Sequence, residues 1–329
     1  MSELHKFVFE GLPVRGMVVR LTDVWQEILR RRANNAQSGA YPAPVRRLLG
    51  EMTAAAALMQ SNIKFNGALV LQIFGDGPVK LAVVEVQSDL SLRATATLRG
   101  DVADDASLSQ MANQNNEARC AITLDPQDKL PGQQPYQGVV PLFDDQRQPL
   151  ERFSDVLAHY MLQSEQLDTT LVLAANSKVA AGLLIQRLPL EGVGNLAGRY
   201  DSVERESALG NDEDYNRISI LSKSLKPEEL LGLDVETVLH RLFWEEPLLR
   251  FEPLLGDAGP RFQCSCSRER VGRMIKSLGV AEAESILSER ENIEVACEFC
   301  GAQYQFDPVD AASLFTQPEA APPTGPALH

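Results

Sequence analysis

The first 185 residues mix the hydrophobic periods of helices and strands. Apolar residues three and four positions apart predict helices, whereas Val-rich runs and alternating apolar residues predict strands. The helical spacing occurs over residues 24–29, 45–59 and 153–161, and the strand patterns over 15–21, 68–74, 79–86, 92–98, 119–124, 138–142, 169–174 and 179–185. A turn sequence at 75–78, Gly-Asp-Gly-Pro, separates two strand patterns and predicts a β-hairpin. Residues 1–187 are therefore predicted to form an α+β domain with a largely antiparallel sheet and packed helices.

The pattern changes after Pro189. Residues 188–260 contain 15 acidic and seven basic residues, a net charge of −8, and glycines interrupt the first half. The acidic stretch 211–214 is typical of a loop. Two short helical patterns follow, one starting at Pro227 and one with an apolar face between Val235 and Leu242. We interpret the segment as a metastable helical linker, because it is too apolar to stay disordered and too acidic to form a robust domain.

A small final unit is predicted over residues 261–315. Val271, Met274, Ile275 and Leu278 have helical spacing, and Gly279 is suited to end that helix. Alternating apolar residues around 293–297 and 304–306 then predict a hairpin with cysteines at its tip. Residues 316–329 are rich in Pro and Ala and are predicted to be a disordered tail.

Composition excludes several classes of function. The chain has 329 residues and a formal charge of −14, so a phosphate backbone would repel it and nucleic acid is not an expected partner. No apolar run approaches the ~18–20 residues of a membrane span, and the N-terminus lacks the features of a secretory signal. We therefore expect a cytoplasmic protein without a membrane partner, whose thiols are normally reduced.

Four of the five cysteines form a constellation with metal-ligand spacing. Cys264 and Cys266 are separated by one residue, Cys297 and Cys300 by two, and all four His lie outside the unit. Tetrahedral zinc accepts four thiolates, so the sequence predicts a Zn²⁺ site made of these four cysteines. A unit of about 50 residues has too small a core to be secure alone, so the metal would supply much of its folding free energy.

Other interpretations of the cysteines are weaker. A dithiol oxidoreductase using Cys297 and Cys300 would need a lowered thiol pKa, but Glu294 and Glu298 place negative charge beside them. A constitutive, zinc-stabilised protein-interaction module remains an alternative. Cys120 lies in an apolar strand pattern and is expected to be a buried packing residue. No catalytic constellation stands out, so an enzyme is not expected.

The predicted zinc site could act as a redox switch. Oxidation of the thiolates would release the zinc, the small unit would unfold, and the marginal linker could follow. Opening of the linker would expose a set of apolar side chains, Leu230, Leu231, Val238, Leu239, Leu242, Phe243 and Trp244. Apolar surface newly exposed on an acidic frame is what a protein that binds unfolded chains requires.

The sequence resembles the heat shock protein 33 family of redox-regulated holdase chaperones. The strongest element is FQCSCSRER at 262–270 together with CEFCG at 297–301. Further matches are VRG at 14–16, GDGP at 75–78, YQG at 136–138, QSEQ at 163–166, and the linker stretch from EELL at 228–231 to the glutamates at 245–246. The resemblance extends from about residue 5 to about residue 315.

The resemblance implies a cytoplasmic, ATP-independent chaperone that is inactive when it is reduced and holds one Zn²⁺ per chain. Oxidation would form the disulfides Cys264–Cys266 and Cys297–Cys300, release zinc, and unfold the linker and the C-terminal unit. The active form would be a homodimer that binds unfolded client proteins and hands them over to ATP-dependent chaperones. None of this implies a catalytic residue.

Overall fold

The computed structural model describes residues 1–35, 39–129, 132–188 and 213–316. Its strands are β1 (Glu3–Phe9), β2 (Val14–Leu21), β3 (Gly67–Phe74), β4 (Val79–Gln87), β5 (Ser91–Leu98), β6 (Arg119–Pro126), β7 (Tyr136–Pro141), β8 (Thr169–Ala175), β9 (Ala180–Arg187), β10 (Leu248–Arg250), β11 (Leu254–Leu255), β12 (Arg261–Phe262), β13 (Ile293–Ala296) and β14 (Gln303–Phe306). Its α-helices are α1 (Asp23–Ala33), α2 (Ala43–Asn62), α3 (Leu108–Ala112), α4 (Phe153–Glu165), α5 (Glu213–Lys223), α6 (Pro227–Gly232), α7 (Val235–Phe243), α8 (Arg268–Leu278), α9 (Val280–Glu289) and α10 (Pro308–Thr316). The predicted α+β fold class is confirmed.

Two compact units divide the chain, residues 1–263 and 264–329. The first unit contains two sheets. One has the strand order β10-β1-β2-β9-β8, with β11 also pairing with β1, and the other has the order β12-β5-β4-β3-β6-β7. All of these pairings are antiparallel except the one between β12 and β5.

Helix α2 lies in the core of the first unit and contacts strands of both sheets. Its middle is a run of small and apolar residues, Ala54 to Leu58, all fully buried. Because this run is apolar on every side of the helix, the helix can bury more than one face. The predicted helical stripe over 45–59 is thus confirmed, and it belongs to the central helix of the fold.

The first sheet is buried on both faces, as the alternation along β2 shows. Met17 and Val19 belong to the core shared with α2, whereas Val14 and Val18 belong to a second apolar cluster on the opposite face. Neighbouring side chains of a strand point to opposite faces, so each face needs its own cover. The second face is covered by α5, α6 and α7, which follow the first domain in sequence.

The predicted hairpin at 75–78 is confirmed, since β3 and β4 pair antiparallel around this turn. Its glycines are required by close backbone approach. A Cβ atom at Gly75 would lie 2.0 Å from the carbonyl oxygen of Val79, and one at Gly77 would lie 2.7 Å from that of Met111. Asp76 fixes the loop beside it by accepting the backbone N–H groups of Asn115 and Glu117.

The linker contains more helix than its sequence pattern predicted. Glu213 and Asp214, interpreted as part of a loop, begin helix α5, where the positive end of the helix dipole favours acidic side chains. The helices predicted at Pro227 and Val235 are confirmed as α6 and α7. The earlier part of the linker, including the rest of the 211–214 stretch, lies outside the described residues.

The second unit is built from α8, α9, α10 and the β13–β14 hairpin. Among its described residues, the core has five buried apolar side chains, Ile275, Ala283, Ile293, Phe306 and Ala311. The predicted apolar face of α8 is only partly buried, because Met274 and Leu278 are about half exposed, at 45% and 52%. The face turned inwards is centred on Ile275 and Gly272, and a Cβ atom at Gly272 would lie 2.9 Å from the side chain of Leu314 on α10.

Helix α10 has no counterpart in the sequence prediction. It extends to Thr316, the first residue of the predicted tail, and residues 317–329 lie outside the described residues. The proposed division into segments 1–187, 188–260, 261–315 and 316–329 therefore stays a prediction. The compact units themselves divide between Gln263 and Cys264.

Candidate metal centre

The four predicted ligands come from two separate stretches of the second unit. Cys264 and Cys266 lie in the irregular segment between β12 and α8, and Cys297 and Cys300 lie in the turn between β13 and β14. The structure brings all four together, with the Sγ atoms within 4.8 Å of one another. The Sγ atoms of Cys264 and Cys297 are 3.7 Å apart, and those of Cys266 and Cys300 are 3.3 Å apart.

Local sequence explains the conformation of both stretches. The hydroxyl of Ser267 accepts the backbone N–H of Arg270 and caps α8 immediately after Cys266. In the hairpin, the N–H of Gly301 donates to the carbonyl of Cys297 at 2.8 Å, and Gly301 has a φ of +74°. Glycine adopts this left-handed conformation without steric cost.

The electrostatics of the cluster call for a bound cation. The pKa of Cys297 is raised, first by its hydrogen bond with Cys264 and then by burial, although the N–H groups of Cys300 and Phe299 lower it. Burial is also the main cause that raises the pKa of Cys300 to about 11. Four thiolates at such short distances repel one another unless a divalent cation compensates them. The donor set thus fits a thiophilic metal ion, and four sulfurs are a tetrahedral set that zinc accepts.

Two side chains that surround the sulfurs, those of Tyr304 and Arg270, were not predicted from the sequence to be part of the site. The hydroxyl of Tyr304 on β14 donates to Sγ of Cys266 at 3.1 Å. The guanidinium of Arg270 donates to the hydroxyl of Ser265 at 2.6 Å, between the first two cysteines. The signal for Tyr304 was present in the alternation of β14, which places Tyr304 on the same face as the buried Phe306.

The charge environment of the centre is more balanced than the sequence near Cys297 indicated. Glu294 and Glu298 flank one pair of cysteines, but the other pair directly precedes the N-terminus of α8 with Arg268 and Arg270. The positive end of a helix favours negative charge next to its first turn. The centre as a whole therefore offers positive as well as negative surroundings to its four sulfurs.

Cys120 is separate from this cluster. It lies in β6 and is fully buried, as the sequence analysis expected, and burial raises its pKa to about 12. Among the described residues, the four cysteines of the second unit are the group of potential ligands close enough to hold a metal ion.

Comparison with known proteins decides the family. The family model described as "Hsp33 protein" matches residues 2–307 of this chain. The chain belongs to the Hsp33 family. Hsp33 relatives include the 33 kDa chaperonin of Chromobacterium violaceum, which is 42% identical over 314 residues, covering 95% of this chain and 94% of the relative. The 33 kDa chaperonin of Methylobacillus flagellatus is 40% identical over 316 residues, covering 96% and 94%.

A solved structure supports the same fold. The crystal structure of the 33 kDa chaperonin, a heat shock protein 33 homologue, from Thermotoga maritima superposes with a TM-score of 0.69. The match covers 95% of this chain and 98% of that one at 19% sequence identity. Membership of the Hsp33 family supports a chaperone role, and the relatives have chaperonin names rather than enzyme names. None of the described helices is both long and apolar enough to span a bilayer.

Proposed function

We propose that this Hsp33 family member is a redox-regulated, ATP-independent holdase. In the reduced form Cys264, Cys266, Cys297 and Cys300 hold one Zn²⁺, and the protein does not bind clients. Oxidation converts the thiols to disulfides, the metal leaves, and the C-terminal unit and linker unfold. The apolar surface exposed in this way binds unfolded proteins and prevents their aggregation.

The observation that carries this proposal is the small core of the second unit. In its described part, five buried apolar side chains, with seven partly buried ones packed against them, are few for a unit that contains three helices and a hairpin. Bound zinc contributes about 10–16 kcal/mol to the folding of comparable zinc-finger peptides. The ligands lie in two stretches separated by 30 residues, so the metal joins the two halves of the unit. Loss of that bond removes a large part of the free energy of folding.

The linker supplies surface that can be exposed. Helices α5–α7 and the connection between α5 and α6 cover the second face of the first sheet with buried apolar side chains, Tyr215, Ile218, Leu225, Leu230, Val235, Val238, Leu239, Leu242 and Phe243. Under them lie buried side chains of the sheet, including Phe7, Phe9, Val18, Leu183 and Ile185. Release of the linker would uncover both sets. Trp244, which the sequence analysis included in the hidden set, is already 69% exposed and is removed from it.

A short strand connects the linker to the cysteines. β12 pairs with β5, and the N–H of Gln263, next to Cys264, donates to the carbonyl of Leu92 at 3.1 Å. The guanidinium of Arg31 stacks on the ring of Phe262, 4.4 Å from its centroid. This attachment fixes the chain directly before the first ligand, so changes at Cys264 act on the strand that follows the linker.

The chemistry of the switch needs an oxidant such as hydrogen peroxide. Two thiols and one peroxide give one disulfide and two waters, so two peroxides convert all four cysteines. We propose the pairs Cys264–Cys266 and Cys297–Cys300, which agree with the resemblance. The closest sulfurs lie across the two stretches, but cross-linking them would keep the halves joined. Pairing neighbours leaves the halves unconnected once the metal has left.

Charge is consistent with a binder of unfolded chains. The linker carries −8 of the net charge of −14, which keeps an opened, apolar segment in solution and opposes its self-association. As part of the same proposal, and on the basis of family membership, the active form is a homodimer in the cytoplasm. It passes its clients to ATP-dependent chaperones.

The proposal is tested by following aggregation of a chemically unfolded client by light scattering, with reduced and with peroxide-treated protein. Zinc release and binding of an apolar dye are measured in the same samples. We expect one zinc per reduced chain, none after oxidation, and suppression of aggregation only after oxidation. Equal suppression in both states would instead favour the constitutive, zinc-stabilised interaction module. Zinc release without dye binding would overturn the switch.

A further inference from the structure

Three sequence motifs that the redox switch leaves unexplained meet at one cavity in the first unit. Arg15 of VRG, Tyr136 of YQG and Glu165 of QSEQ all line it. The cavity has a volume of about 140 Å³ and lies between strands of the two sheets and helices α2 and α4. We propose that it is a binding site for a small apolar carboxylate, with the carboxylate on Arg15.

The walls of the cavity are apolar and come from both sheets. Leu69 and Ile122 belong to the second sheet and Leu171 and Leu184 to the first, and each is at most 8% exposed. An apolar cavity of about 150 Å³ is known to hold a benzene ring. The space here therefore suits a body of about one ring or an equally short aliphatic chain.

The glycine of YQG contributes to the shape of the cavity. A Cβ atom at Gly138 would lie 2.6 Å from the ring of Tyr160, so glycine is needed for this tyrosine to pack against β7. The hydroxyl of Tyr160 donates to the carboxylate of Glu165 at 2.6 Å, and that of Tyr136 donates to the same oxygen at 3.3 Å. The negative charge at this side of the cavity is thus already stabilised by two hydroxyl donors.

The guanidinium of Arg15, like the carboxylate of Glu165, has uncharged hydrogen-bond partners. Arg15 donates to the side-chain oxygen of Gln186, which is fully buried and also accepts the amide of Asn62 at 2.9 Å. Lys6 lies close enough to Arg15 for the two positive charges to repel each other. The pKa of Lys6 is lowered first by burial and then by the charge of Arg15. Within the described part of the chain, neither cation has a carboxylate at ion-pair distance.

A half-buried guanidinium with only amide partners is suited to receive an anion. Its planar donors match a carboxylate, and a hydrogen bond between charged groups is stronger than one to a neutral amide. Lys6 adds to the positive potential at this place. The apolar walls then select the rest of the ligand, which makes an apolar monocarboxylate the class that fits the cavity.

The test is a titration of the reduced, zinc-loaded full-length protein with phenylacetate, followed by NMR of labelled methyl groups. 2-Phenylethanol, which has the same ring without the charge, is titrated in parallel. We expect saturable shifts at Ile122, Leu171 and Leu184, with phenylacetate binding at least tenfold more tightly than the alcohol. Equal affinities, or no saturation with phenylacetate, would overturn the proposal on the unmodified protein.

Variants locate the site. Arg15→Met is expected to remove the tenfold preference for the acid, while Lys80→Met, which removes an exposed positive charge elsewhere, retains it. Leu167→Phe fills the half-buried edge of the cavity and is expected to weaken binding of both compounds. A preference that survives Arg15→Met in a folded variant would contradict the role of Arg15. None of these readouts depends on oxidation, so they are independent of the holdase proposal.

Discussion

The guanidinium of Arg20, on β2, donates a 2.9 Å hydrogen bond to the carbonyl oxygen of Leu231, near the C-terminal end of α6. It also donates to the carbonyls of Leu230 and Leu233, at 3.2 and 3.1 Å. The last carbonyls of a helix have no partners within the helix, and positive charge there is favourable. One side chain of the sheet thus satisfies the end of a linker helix and attaches it to the face it covers.

We expect Arg20→Ala to loosen the linker in the reduced protein. Hydrogen bonds from a charged donor contribute about 1.5–3 kcal/mol, so the free energy of linker opening should fall by about 2 kcal/mol. Amide exchange in α6 and α7 should accelerate by about 30-fold, which mass spectrometry can measure. If the linker is the cover of the client-binding surface, the variant should also suppress aggregation without oxidation.

The matched control is Arg241→Ala. Arg241, on α7, forms an ion pair with Glu229, on α6, at 2.7 Å, but the side chain of Arg241 is 56% exposed. Exposed pairs contribute about 0–1 kcal/mol, so this variant should change exchange in the linker little. Similar acceleration in both variants would show that Arg20 has no special part in holding the linker.

Sequence patterns predicted helices α1, α2 and α4 and strands β2–β9 of the first unit, because long apolar stripes determine which face is buried. They did not predict β1, α3 or the short strands β10–β12. The positions 153–161 became α4, with Phe153, Val156, Leu157, Tyr160 and Met161 all buried. The sequence patterns did not predict which elements pack against the same face of a sheet. Val18 and Val19 look alike in sequence, yet one packs under the linker helices and the other against α2. That difference depends on pairings between residues far apart in the chain.

The cysteine cluster was predictable because ligand spacing is a local property. The partners around it were not, since hydrogen bonds such as the one from Tyr304 to Cys266 join residues 38 positions apart. The hydrogen bonds from Arg20 to helix α6 could not be predicted either. Their acceptors are backbone carbonyls, which every residue type has. The start of α5 was missed because acidic residues suit both loops and first helical turns.

Tyr304→Phe is expected to weaken zinc binding while the unit stays folded. The ring keeps its packing in the small core, and only the donor to Cys266 is lost. Removing a partner that orients a ligand typically costs 10–100-fold in metal affinity, and we expect about tenfold here. Competition with a coloured zinc chelator measures the affinity, and the charge-transfer absorption of the cobalt form reports on the sulfur directly.

Gln305→Leu is the control for Tyr304. Gln305 is the next residue of β14, points to the opposite face, and donates to Glu294 at 3.0 Å. Its replacement should leave the zinc affinity and the cobalt spectrum unchanged. An unaltered affinity in Tyr304→Phe would mean that the hydroxyl does not support the bound thiolate.

Cys120 is expected to take no part in the redox response. At a pKa of about 12, on the order of 10⁻⁵ of the thiol is ionised at pH 7, and the sulfur is fully buried. Cys120→Ala should keep one zinc per chain and the same extent of oxidation by peroxide, at a modest cost in stability from the lost sulfur. Mass spectrometry after maleimide treatment should find Cys120 unlabelled until the first unit unfolds. Early labelling would refute its assignment to packing.

Glu51, on the central helix α2, should make the first unit less stable as the pH rises. Burial raises its pKa from 4.5 to about 7, and Arg47 opposes this in part. The folded protein therefore keeps a proton that the unfolded chain loses near pH 4.5. The resulting stability is fully present below that pH and is lost as the pH rises through 7.

Glu51→Gln should remove this dependence, because the amide is neutral at every pH. Its free energy of unfolding should exceed that of the unmodified protein by up to about 3 kcal/mol at pH 8, with a smaller difference at pH 5. Fluorescence of the fully buried Trp25, in a Trp244→Phe background, reports unfolding of this unit alone. The exposed Glu10→Gln is the charge-matched control and should show a constant small difference across the range. If the two variants follow the same pH profile, the proton held by Glu51 does not contribute to folding.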